Sequence, residues 1–373
     1  MGDRSVPADD VETLVLDVDD IARVLDEVGL DRFYDELIEA LRSEIAAFDP
    51  ARVEDQIRAG FNYAQPEHGL VEWMPTMVLG DVVSVKTVGY HPENPVRRGL
   101  PSVLATTALY DTTTGALVGL SEATLMTALR TGAASAVVTD AIVAQKPIVL
   151  GVVGCGTQAV TQIHAISRVR PIERLVVTDV SPQNAHSLGD RLPEGLPVPE
   201  IVGRRDFDRL VGDLDVLCTC TSVAIDGEPV VSLEHARPEL HVNAVGADFP
   251  GKTELDLDDV RRSVVIPDVV DQCMIEGESQ RLDRSELGPT MTEVLIGGGL
   301  GLGDKLTVFD STGWGFEDLV SARLFHAHAG RLGLGKRLSL QRTPMDPYDP
   351  YESLRVTAAL RSSDSSALAT RPA

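Results

Sequence analysis

The stretch "GVVGCGTQAV", Gly151 to Val160, decides how this chain is read. It follows the apolar run "PIVL" and contains Gly154-Cys155-Gly156-Thr157-Gln158-Ala159, a match to G-x-G-x-x-[GA]. The run reads as a strand that breaks into a glycine turn and then opens a helix. The first glycine permits the tight turn, the second lets backbone approach a pyrophosphate, and the small third residue allows close helix–strand packing. The helix N-terminus then faces the phosphates with its unpaired N–H groups. Alone this pattern is weak, but here the setting agrees with it. The next apolar run, "RLVVTDV", carries Asp179 close behind. A carboxylate there binds the two ribose hydroxyls and repels a 2′-phosphate, which favours NAD over NADP. The expectation is an NAD-type Rossmann unit.

Downstream of Pro147, strand-like runs ("LDVLCTCTS", "LHVNAVGAD", "SVVIPD", "LTVFDSTG") alternate with helical ones, the pattern of a mostly parallel sheet covered by helices. Upstream, "SEATLMTALRTGAASAVVTDAIVA" reads as one long alanine-rich helix capped by Ser121. Residues 70–122 hold short β-rich runs separated by "GD", "HPENP" and "DTTTG", as in an antiparallel sheet. Asp19 to Phe48 has helical periodicity broken near Gly29 and Leu30, so two helices are expected. The fold class is therefore α/β: a Rossmann-type NAD domain plus a second α+β domain with an antiparallel sheet. The expected division is 13–130 for substrate binding, with a return segment at about 320–360, and 131–319 for NAD. Residues 1–12 and 361–373 are polar and expected to be disordered. "LIGGGLGLGDK" lacks the Gly-Lys-Ser/Thr ending of a phosphate loop and reads as a flexible surface loop.

Composition narrows the function. The 373 residues suffice for two domains, and 43% hydrophobic with 24% charged residues describes an ordinary globular chain. No run reaches the ~18 apolar residues of a membrane span. The acidic start "MGDRSVPADDVETL" is no secretory signal, so a cytoplasmic location is expected. A formal charge of −24 argues against nucleic acid and anionic membranes as partners. Cys155, Cys218, Cys220 and Cys273 lack the spacing of a metal site and read as buried thiols; no metal is expected.

Two further clusters carry chemistry. Arg58, Lys86 and Arg130 lie in "IRAGF", "VSVKTVGY" and "TALRTGA" and suit a carboxylate, arginine by its bidentate fork and lysine as a point charge. Lysine is scarce here, five against 28 arginines, which singles out Lys86. Glu72, within an apolar strand, is a candidate proton-relay carboxylate. In "HVNAVGADFPGKTEL", Gly246, Asp248 and Lys252 follow a buried strand, where ligands bind in Rossmann sheets. Asp248 is a general acid/base candidate there.

Together "ALRTGAASAV", "GCGTQAVTQ", "VNAVGAD" with "PGKTE", and "FDSTGWGFED" resemble, in order and over nearly the whole chain, the ornithine cyclodeaminase and μ-crystallin family. Within it, "EWMP", "VKTVGYHPENP" and "GLPSVLAT" look most like the actinomycete lysine cyclodeaminases. The resemblance implies that Arg58, Lys86 and Arg130 bind the substrate carboxylate, that Asp248 transfers protons and that Glu72 holds a water. It also implies cofactor contacts at Ser102, Arg130, Gly154, Gly156, Thr157, Gln158, Asp179, Thr221, Val245, Gly246, Lys252 and Ser311. The implied reaction is an NAD-dependent cyclodeamination of a small basic amino acid, lysine to pipecolate, by a homodimer. Three alternatives stay open: ornithine as substrate, a net dehydrogenase or imine reductase of the same fold, and a non-enzymatic dinucleotide-binding protein.

Overall fold

The computed structural model describes residues 11–341, 344, 346–352 and 354–355. Apart from residues 11 and 12, the terminal stretches expected to be disordered lie outside the described residues, as does part of the expected return segment.

Two sheets organise the chain. One has seven strands, all parallel, in the spatial order Glu200–Ile201, Ile172–Thr178, Ile148–Val153, Val216–Thr219, His241–Ala244, Thr307–Asp310 and Val264–Pro267. Its central strands are short and buried on both faces, which is why they read as continuous apolar runs without alternation. The helix Thr157–Val169 follows Ile148–Val153, and Pro182–Arg191 follows Ile172–Thr178. The strand order reverses beside Ile148–Val153, so a crevice opens at the carboxyl ends of Ile148–Val153 and Val216–Thr219.

The other sheet has eight strands. Gly69–Val78, Val82–Tyr90, Val103–Asp111 and Leu117–Glu122 form an antiparallel meander at its centre. The edge is mixed: Thr13–Leu16 runs parallel to Leu117–Glu122, and Lys336–Leu338 pairs antiparallel with Thr13–Leu16. The helices Val18–Val28 and Leu30–Ala46 lie on this side, broken at Gly29 as the periodicity indicates.

The linking helix spans Thr124–Ile142 and starts later than its sequence suggests. Ser121 pairs with Thr107 inside a strand, so the ladder claims the residue expected to cap the helix. Glu122 takes over by accepting the Thr124 N–H at 2.5 Å. Buried Ala133, Ala134 and Ala136 keep this helix slim where it packs on Thr157–Val169. The helix Gly315–Leu332 leaves the parallel sheet and packs against Leu30–Ala46, with Phe33 and Phe325 rings 4.4 Å apart. The glycine-rich stretch after Ile296 lies at the surface, as expected, except that Gly299 is buried against the end of the linking helix. Cys155, Cys218 and Cys273 are buried and unpaired, and Cys220 is half-buried.

Candidate functional site

A cavity of about 500 Å³ lies between the two sheets, and most of the residues singled out above line it. They are Arg58, Glu72, Lys86, Ser102, Arg130, Gly156, Thr157, Gln158, Thr221, Val245, Gly246, Asp248, Lys252 and Ser311. Gly154 and Asp179 stand behind the wall instead.

The wall on the parallel-sheet side is built from strand ends. Gly154 has φ +90°, and a Cβ there would meet the Cys220 carbonyl oxygen at 2.8 Å, so only glycine fits without strain. Gly156 caps the helix Thr157–Val169 without any side-chain hydrogen bond, which leaves the first N–H groups for a ligand. Asp179 accepts the Cys155 N–H and the Ser181 N–H, both at 2.6 Å. The carboxylate expected to reach the ribose thus braces the loop, although each oxygen keeps a lone pair for a hydroxyl. Arg191, missed in the sequence, braces the same residue at its next peptide by donating to the Cys155 carbonyl at 2.8 Å. It also lines the cavity together with Asn184. The buried hydroxyl of Ser311, which lines the cavity, has no partner among the described residues. An uncapped helix start, a glycine turn and an unsatisfied hydroxyl on one wall fit a dinucleotide.

The opposite wall is built from buried charges. Glu72 and Met74 alternate on Gly69–Val78, and Met74 lies directly across from Lys86, so all three share one face of the sheet. Lys86 is 2% exposed and its Nζ lies 2.8 Å from Asp318. Arg130, one helix away, binds Glu317 at 2.8 Å and Asp318 at 3.0 Å. Arg58 sits 2.8 Å from Glu276 and 3.7 Å from Glu72. It also donates to the carbonyls of Thr312 and Gly313. Each candidate clamp cation therefore already has an acid beside it.

Glu317, Asp318 and Glu276 were not singled out in the sequence. Glu317 and Asp318 fill the first turn of Gly315–Leu332, where acids suit the helix dipole. Two adjacent acids in the otherwise apolar "GWGFEDLV" are the signal that marks them. Burial lowers Lys86 to about 8 against the pull of Asp318. Burial raises Glu276 to about 8, with Arg58 opposing and Glu72 and Asp248 adding to the rise. Burial likewise raises Glu317 to about 7 against Arg130. Glu72 is also pushed upward, by burial first and then by Asp248 against Arg58.

At the junction of the walls, Asp248 pairs with Lys252 at 2.8 Å. The lysine is buried, with its ammonium 5.0 Å from the centre of the Tyr90 ring, while the Asp248 carboxylate is 42% exposed. Among the described residues, no group of three or more His, Cys, Asp or Glu side chains is placed to hold a metal. Among them, too, no helix is long and apolar enough to cross a membrane.

The model of the ornithine cyclodeaminase/mu-crystallin family matches residues 18–331. The chain belongs to that family. Among family relatives, L-lysine cyclodeaminase of Streptomyces rapamycinicus is 37% identical over 344 residues, covering 91% of this chain and 99% of the relative. A solved lysine cyclodeaminase, studied for its recognition of L-lysine, L-ornithine and L-2,4-diaminobutyric acid, superposes with a TM-score of 0.87 at 41% identity. That match covers 91% of this chain and 99% of the other. An archaeal alanine dehydrogenase dimer with bound NAD superposes with a TM-score of 0.76 at 27% identity, covering 88% and 100%. Family members thus put one fold to both cyclodeamination and net oxidation.

Proposed function

We propose that this chain is an NAD-dependent cyclodeaminase that converts L-lysine to L-pipecolate, releasing ammonia without net oxidation. The observation that carries the reading is the charge balance of the cavity. Arg58, Lys86 and Arg130 await a carboxylate, yet Glu276, Glu317 and Asp318 already face them, and Glu72 and Asp248 lie close by. With the cations so held for a carboxylate, Glu72 and Asp248 on the cavity lining offer acidic partners to the amines of a diamino acid, and alanine has one amine to give them. The likeness to lysine cyclodeaminases, in sequence and in fold, supports the same choice.

Thr157 and Gln158 at the helix start, with Gly154, Gly156 and Asp179 shaping the loop, hold the dinucleotide; Ser102, Thr221, Val245, Gly246, Lys252 and Ser311 line the rest of its path. Bound there, NAD would supply a reversible hydride acceptor for the substrate Cα, so that no outside oxidant is needed. Lys86, Arg58 and Arg130 fix the α-carboxylate and so orient Cα. Asp248 takes a proton from the amino groups and returns one to the departing nitrogen, and Lys252 holds its carboxylate in place at 2.8 Å. Glu72 holds the water through which that proton travels. Confinement in one cavity places the terminal amine near Cα, and effective molarities for such closures reach about 10⁵ M or more.

The same reading divides the chain into a substrate unit, 13–130 with a return near 320–360, and an NAD unit, 131–319, and pairs two chains through the first unit. The test is incubation with catalytic NAD and either lysine or ornithine, following ammonia and NADH absorbance. Ammonia without NADH accumulation is expected, faster with lysine. Accumulating NADH points to a dehydrogenase, and cofactor binding without turnover points to a crystallin-like protein.

A further inference from the structure

Behind the parallel-sheet wall lies a line of three buried carboxylates that the reaction above does not use. Glu254 is fully buried. One of its oxygens accepts both the Thr221 N–H and the Thr221 hydroxyl at 2.7 Å, and the other accepts the Gly246 N–H at 2.9 Å. Thr221 and Gly246 line the cavity, and Glu254 does not. A Cβ at Gly246 would lie 2.5 Å from this carboxylate, so the strand end passes directly over it. Glu254 is held in turn by its own backbone. Its N–H and that of Leu255 donate to Glu278 at 2.6 and 3.2 Å. The N–H groups of Glu278 and Ser279 donate to Asp310, both at 2.9 Å.

The placement of this carboxylate matters more than its burial. Thr221 and Gly246 follow Val216–Thr219 and His241–Ala244, which lie across Ile148–Val153 from the strand that precedes Asp179. In a Rossmann sheet the adenosine half lies on the Asp179 side and the second nucleotide on the other. The nicotinamide half therefore rests on the two strand ends that Glu254 ties together. Its ring is cationic when oxidised and neutral when reduced, so a fixed negative charge beneath it acts on one form only. Burial raises the Glu254 carboxyl, while the donors from Thr221 and Gly246 hold its charge. All the donors reaching the two oxygens serve the ionised form. Lys252 is a nearby cation, but its ammonium is engaged by Asp248.

We propose that Glu254 is a positioning residue for the nicotinamide half of the cofactor, and that its negative charge favours the oxidised ring over the reduced one. This rests on the NAD reading and deepens it. An enzyme that must give its hydride back gains from a site that prefers the oxidised cofactor, since the bound pair is then biased towards returning the hydride.

The test is calorimetric titration of the full chain with NAD+ and, separately, with NADH. Glu254→Gln keeps the volume and removes the charge. NAD+ affinity is expected to fall about tenfold more than NADH affinity. Equal losses, which a purely structural role would give, overturn the proposal, as does an unchanged ratio. If melting curves show that Glu254→Gln does not fold, Thr221→Val removes the hydroxyl that donates to this carboxylate at 2.7 Å. It is expected to move the same ratio in the same direction by a smaller factor, and no movement overturns the proposal. Failure of the wild-type chain to bind either nucleotide overturns the cofactor reading itself, a result distinct from a fixed ratio.

Discussion

The two walls of the cavity solve different problems with different materials. The parallel-sheet wall offers backbone N–H groups, a glycine turn and a free hydroxyl, and its side chains mostly brace the main chain. The opposite wall offers buried side-chain charges, each neutralised by a partner from a distant segment. A backbone wall tolerates side-chain change but not a change of chain path. A wall of paired charges keeps its path yet cannot lose one member without stranding another.

Substitutions can break this comparison, and the largest effect belongs at the junction. Asp248→Asn should lower turnover by about 10²–10⁴, the usual worth of a positioned acid or base, while NAD still binds. Steady-state kinetics with calorimetry checks it, and unchanged turnover removes Asp248 from its role. On the charged wall, Lys86→Met should cost about 100-fold in kcat/KM for the amino acid and leave NAD affinity intact. Asp318 loses one of its two cations and keeps Arg130, so a loss of about 1–3 kcal/mol in stability should show in denaturant melts. On the backbone wall, Gly154→Ala should do the reverse. Its strained left-handed turn costs about 1–2 kcal/mol, seen as roughly tenfold weaker NAD binding with little change in amino-acid KM at saturating NAD.

The smallest effect is one of pH and sharpens the contrast. Lys86, lowered to about 8, sheds its proton as pH rises through that value, and the clamp then loses a charge. KM for the amino acid should therefore rise about fivefold between pH 8 and 9, once allowance is made for the ionisation of free lysine. NAD affinity over that interval should stay flat, because backbone donors do not titrate.

The same contrast explains what the sequence discloses. The glycine turn, the two helices broken at Gly29 and the alternation after Pro147 are local patterns, visible in a window of a few residues. Lys86, Arg130 and Asp248 stand out because scarcity and motif mark them. Their partners do not, since nothing near Lys86 in the chain points to Asp318, and nothing near Arg58 to Glu276. The Ser121 cap misled for a related reason: capping is a local preference, and the strand ladder with Thr107 outweighs it. Asp179 was legible as a residue of the nucleotide loop, but its grip on the Cys155 and Ser181 amides follows from a turn geometry that spacing does not encode.

The helix Gly315–Leu332 also imposes an order on synthesis. Every strand of the parallel sheet has left the ribosome by Asp310, so that sheet is complete before the helix begins. Arg130 is separated from Glu317 by 187 positions, and Lys86 waits longer still for Asp318. Until that helix emerges, both cations lack the acids that make their burial tolerable, and the sheet face that carries Lys86 stays open to water. The edge strand Lys336–Leu338 then closes on Thr13–Leu16, more than 300 residues before it. The nascent protein thus acquires its parallel-sheet wall first, and its charged wall only once Gly315–Leu332 has been made.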